Sequence, residues 1–221
     1  MLSLPYSSEV YFALMADYNA RWLPAVAAGA ALSLAAALVA LSGAGGRSGV
    51  RAVFGLLGAG WAWTGAMHQL DHMAALDFLA PVYGWAFLVQ AALLLGLSAV
   101  PGSLRFGRPR GVAGWTGAGL AAAALFYPVA VAAQGYAWRE APLAGTASDP
   151  TVLLTCGILL LARPGPPLWL LPVPLAWAGV AGVGGYLLSS PLDGAVATGI
   201  ALACMIAVAE RTPWFADGSR S

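Results

Sequence analysis

The chain has 221 residues and a net charge of +1, and 60% of it is hydrophobic against 9% charged. A soluble domain carries roughly 25% charged residues. So few charges cannot coat a water-facing surface, which excludes a soluble enzyme and makes lipid the solvent for much of the exterior. All ten basic residues are arginine. The absence of lysine removes the amine needed for a retinal or pyridoxal phosphate (PLP) Schiff base, and no basic cluster interleaves with aromatics as a nucleic-acid surface requires.

In chain order, the first element is short and two-faced. Tyr11, Leu14, Met15, Tyr18 and Trp22 share one face of a helix, while Glu9 and Asp17 keep it from being a span. It reads as an interfacial amphipathic helix over residues 7–20, with its aromatic rings at headgroup level. The N-terminus has no basic n-region, which argues against a cleaved signal peptide. Apolar runs of spanning length follow near 23–41, 53–70, 81–100, 112–133, 168–188 and 191–209. A shorter run, 151–162, becomes a span over 145–162 only if the weakly polar stretch before it is also buried; otherwise it begins inside the membrane. Short loops rich in Gly, Pro and Arg join the runs. The fold expected is all-α: one polytopic transmembrane bundle of about seven spans occupying 1–221.

The arginines set an orientation. Arg47 and Arg51, then Arg105, Arg108 and Arg110, then Arg163, then Arg211 and Arg220 follow alternate spans. Only Arg21 and Arg139 fall on the other side. The positive-inside rule then gives a multi-pass cell (inner) membrane protein with its N-terminus outside and its C-terminus cytoplasmic. A six-span count would scramble this alternation. Seven of the nine acids fall on the outer side. That side suits a cation or a proton, although solvated loop ends would look the same.

His68 and His72 are the only histidines, four apart with Asp71 between them. On an α-helix they would share a face and could share a metal, with Met67 and Met73 nearby for a soft ion. The alternative is a polar helix end at the outer interface, because further ligands are not evident. His68 alone, near the outer end of the second span, is a candidate proton acceptor or ligand contact. Gln90 lies midway along the third span and must find a partner in the bundle. Asp149 fits an N-cap and Pro150 the first helical turn. If that start lies below the surface, its free N–H groups point into a cavity beside the Thr151 and Thr155 hydroxyls. Pro128 predicts a kink at or before Tyr127, and Pro172 and Pro174 predict another. Trp61, Trp63, Trp85, Trp115, Trp169 and Trp177 read as belt and packing residues. Cys156 and Cys204 read as small packing residues.

Several stretches together resemble a bacterial family of small membrane proteins that carries no assigned function. They are Tyr18-Asn19, Trp61-x-Trp63-Thr64-Gly65-x-x-His68, Gly84-x-x-Phe87-x-x-Gln90, Tyr127-Pro128, Gly135-Tyr136, Pro150-Thr151-x-x-x-Thr155-x-Gly157, and Trp177 followed by Asp193. The resemblance implies a polytopic membrane fold and no known activity. His68 matches it. Asp71 and His72 stand where the family more often has aromatic or apolar residues, Asp77 where Asn is usual and Asp149 where Cys is usual. The function expected is an outward-facing polar pocket that binds or transports a small molecule, proton or cation. His68, Gln90, Tyr127, Asp149, Thr151 and Thr155 would form its binding set. The alternatives are a non-catalytic subunit of a larger membrane complex, or a metal-dependent membrane enzyme using His68, Asp71 and His72. Partners expected are the lipid bilayer and other membrane subunits or a second copy.

Overall fold

A computed structural model describes residues 6–188 and 190–210, so the readings of Arg211, Asp217 and Arg220 lie outside the described residues. Helix α1 (Ser8–Arg21) is followed by α2 (Leu23–Ser42) and α3 (Gly46–Trp63), which continues as a π-helical stretch, Thr64–His72. Then come α4 (Ala80–Ala99), α5 (Gly111–Leu125), α6 (Tyr127–Ala133) and α7 (Ser148–Leu161), and last α8 (Pro172–Leu188) and α9 (Pro191–Ala209). Among the described residues the only β-type pairing is one isolated bridge between Arg105 and Arg163.

Four of these helices are long and apolar enough to cross a membrane: α2, α4, α9, and α8 together with the turn Leu168–Leu170 before it. A fifth candidate is the pair α5 and α6, bent by 59° at Phe126. The bend falls just before Tyr127-Pro128, where the proline ring displaces a backbone hydrogen bond. Pro172 does not kink α8; it is the first residue, where a missing N–H is harmless. Helix α3 begins with Arg47 and Arg51 in its first turns, so its apolar part reaches spanning length only with the π stretch.

Helix α7 organises the bundle. It packs on α5 and α9 and touches α2, α3 and α8, and apart from Asp149 every one of its residues is buried. Its 14 residues rise about 21 Å, well short of a ~30 Å hydrocarbon core. The approach to α5 is by backbone: a Cβ on Gly157 would lie 2.7 Å from Gly117 O and 2.6 Å from Ala121 N. On its other side α7 packs on α9, and Cys156 and the α9 residue Cys204 are both buried free thiols.

The segment leading into α7, residues 141–147, is irregular yet buried apart from Leu143. Non-helical backbone at such a position is tolerated only where the protein satisfies its polar groups. Asn19 Nδ2 donates to the carbonyls of Arg139 and Ala141 at 2.8 and 3.0 Å, and Tyr18 Oη donates to Thr146 O at 2.9 Å. Gly145 turns the chain with φ of 87° and donates its N–H to Thr151 Oγ1 at 2.8 Å. Helix α1 supplies two of these groups. Met15 and Tyr18, read as membrane-facing from the sequence, are fully buried against the bundle.

The loops sort into two ends. Arg51 donates to Ala99 O, Arg105 and Arg163 exchange backbone bonds, and Gly43 packs on Phe106. These contacts gather the arginine-bearing loops at one end. At the other end α1, the π stretch and the starts of α4, α7 and α9 meet.

Candidate functional site

That second end holds a cavity of about 90 Å³. The π stretch builds one wall. His68 and Gln69 on it are both buried, at 2% and 3% exposure, although neighbours on a helix point in different directions. His68 Nδ1 lies 3.3 Å from Ser148 Oγ, the first residue of α7, and His68 Nε2 lies 3.4 Å from Met15 Sδ. Gln69 Nε2 donates to the same Ser148 oxygen at 2.7 Å. Its Oε1 accepts no hydrogen bond from the described residues.

Two carboxylates form the opposite side. Asp149 Oδ1 accepts from Trp177 Nε1 at 2.8 Å, and Oδ2 accepts from Tyr127 Oη at 3.3 Å. Asp193 in the first turn of α9 and Asp77 also line the cavity. Ser190 caps α9 by accepting from the Asp193 N–H at 3.4 Å. Tyr83 and Trp177 stand edge to face, 5.6 Å apart at 85°, and Tyr6 and Tyr11 complete the aromatic rim. Burial, with help from Asp77, pushes the Tyr6 phenol up to about 12, so it is neutral at ordinary pH. Among the described residues no arginine lines this cavity.

The residues expected to form the site divide between this cavity and the core. His68 and Asp149 line the cavity, and Tyr127 stands behind Asp149 as its donor. Asp149 is not the N-cap: α7 starts two residues earlier than expected, with Ala147 at the cap position, which frees the carboxylate for Trp177 and Tyr127. Thr151 and Thr155 belong to a core chain of hydrogen bonds. Trp61 Nε1 donates to Thr155 Oγ1 at 2.8 Å, and Thr155 Oγ1 donates to Thr151 O at 2.8 Å. Gln90 lies elsewhere, donating to Leu170 O at 3.0 Å, with its Oε1 buried and unpartnered among the described residues.

His68, Asp71 and His72 point to three different partners. Asp71 pairs with Arg21 at 3.5 Å, and His72 Nε2 meets Leu14 O at 2.8 Å. The Tyr18 ring contacts both imidazoles, at centroid distances of 5.3 and 5.1 Å. Among the described residues no three His, Cys, Asp or Glu side chains gather closely enough to hold a metal ion.

Gln69, Ser148, Asp193, Tyr83 and Trp177 were not expected at the site. Gln69 was hidden because α-helical periodicity turns it away from His68. Trp177 looked like packing, yet its indole N–H is what orients Asp149. Together these features describe an all-helical protein with several membrane-length apolar helices and an acidic, aromatic-walled cavity at one end. The chain belongs to a family of unknown function (DUF6064), which matches residues 8–215. Neither the curated proteins nor the solved structures gave a match.

Proposed function

We propose that this is a seven-span membrane protein whose outer-end cavity binds a small cation. The seven passes are α2, α3 with its π stretch, α4, the bent pair α5–α6, α7, α8 and α9. Helix α7 serves as a short pass sheathed by the others, so its length need not match the bilayer. The loops holding most of the arginines then face the cytoplasm, and the cavity faces outward. One observation carries the binding reading: Asp149 and Asp193 wall the same cavity as His68 and Gln69, with no arginine against them among the described residues. Carboxylates withdrawn from water need a positive partner or several donors. Among the described residues the protein offers Asp149 two donors and the Asp193 carboxyl only the Ser190 hydroxyl.

Binding is favoured over passage through the bundle in this conformation. Beyond Thr155, α7 presents Cys156, Ile158, Leu159, Leu160 and Leu161, all buried in apolar packing. The test is thermal unfolding of the protein in lipid nanodiscs, titrated with inorganic and organic cations at constant ionic strength. At least one cation should raise the unfolding temperature of the native protein, and Asp149→Asn should remove that rise. An unfolding temperature that no cation moves would sink the reading.

A further inference from the structure

We infer that the ligand class of this cavity is a small alkylammonium ion that keeps at least one N–H; the inference rests on the cation-binding reading above and narrows it. Charge and lining point the same way. Three carboxylates (Asp77, Asp149 and Asp193) share the cavity with Tyr83, Trp177 and Tyr11. Aromatic faces attract a desolvated cation through their quadrupole, and tryptophan does so best. Tyr83 and Trp177, at right angles, form a corner that a bare metal ion would not need.

Gln69 is the independent sign of a hydrogen-bonding ligand. It is 97% buried by its 3% exposure, it lines the cavity, and its Nε2 is spent on Ser148 while Oε1 has no donor among the described residues. That acceptor is left for a donor from the ligand. An ammonium N–H supplies both the proton for Gln69 Oε1 and the charge for the carboxylates. Val180, Ala181 and Leu188 line the same space and offer contact to an alkyl group. At about 90 Å³ the cavity is smaller than the ~150 Å³ cavity that takes a benzene, which suits methylammonium or ethylammonium. A divalent metal fits poorly, because among the described residues no three ligating side chains converge.

Isothermal titration of the protein in nanodiscs, with ethylammonium, tetramethylammonium, potassium and calcium chlorides, tests this. Ethylammonium should bind saturably at one site, at least tenfold tighter than potassium or tetramethylammonium. Trp177→Leu and Asp193→Asn should each weaken it about tenfold or more. Asp193 is only half-buried, so its variant guards against loss of fold, which the unfolding temperature of each variant checks. Gln69→Leu should narrow the preference for ethylammonium over tetramethylammonium. If potassium or calcium binds as tightly as ethylammonium, the ammonium assignment is wrong while the cation site stands. An unchanged ethylammonium preference in Gln69→Leu removes the N–H requirement. No heat from any cation overturns both readings.

Discussion

His68 is held by one contact on each ring nitrogen, Ser148 Oγ at 3.3 Å and Met15 Sδ at 3.4 Å, and neither partner is charged. The Ser148 hydroxyl is also the acceptor for Gln69. One serine therefore couples the π stretch to the first residue of α7. Replacing His68 by Ala leaves that hydroxyl short of a partner and opens a void beside Met15. We expect a loss of about 1–3 kcal/mol in stability, measured by unfolding in detergent, together with weaker cation binding because the cavity wall is gone. A deeper residue separates structure from site. Trp61 is fully buried and its indole donates to Thr155. Trp61→Phe should destabilise by about 1–3 kcal/mol, because the buried Thr155 oxygen loses its donor. Cation affinity should change less than twofold, since neither residue lines the cavity.

At the scale of elements, α1 and the segment 141–147 hold each other in place. Gly145 adopts φ of 87°, and a Cβ there would sit 2.6 Å from Ser33 Oγ and 2.8 Å from Gly29 O. Gly145→Ala combines a left-handed backbone with a steric clash. It should cost about 1–3 kcal/mol or more, read as a lower unfolding temperature. Tyr18 ties α1 to this segment, donating to Thr146 O while accepting from Trp63 Nε1 at 2.8 Å. Burial pushes its phenol from 10 up to about 12, against a small opposing effect of the Trp63 bond. The folded state therefore holds the Tyr18 proton more tightly than the unfolded state does. The attachment of α1 should be fully retained below pH 10 and lost as pH rises through 12. Proteolytic cleavage within α1 should speed up across that window, and Tyr18→Phe should cleave faster at neutral pH with a flatter pH profile.

For the whole molecule, the sorting of loops into two ends makes a topological statement. Arg51 with Ala99 and Arg105 with Arg163 lie at one end, while Arg21 with Asp71 lies at the other. Seven passes put the two termini on opposite sides of the membrane. A tag placed before Met1 should be accessible from outside, and a reporter fused after Ser221 should be active only as a cytoplasmic one. Both ends on one side would rule out the seven-pass reading, and with it the outward placement of the cavity.

Composition and apolar run length were enough to establish that the protein is helical and apolar on its outside, because the charge available for a water-facing surface can be counted without coordinates. The positions of the runs follow for the same reason: the observed helices lie within a few residues of them, save at α3. Proline chemistry made the bend before Tyr127 legible, since it acts through local backbone alone. The cavity was legible only in part. His68 and Asp149 stood out as ionisable groups in apolar surroundings, and that much is local. Gln69 required knowing that packing against α4 and α7 buries both it and its neighbour His68. Asp149 looked like a cap, but Trp177 and Tyr127, from two other helices, claim its carboxylate. Met15 and Tyr18 have the pattern of a lipid-facing stripe, and only the fold shows that a buried, irregular segment takes that face instead. Periodicity states which residues share a side of a helix; what that side meets depends on contacts between segments far apart in the chain, and those exist only once the bundle is assembled.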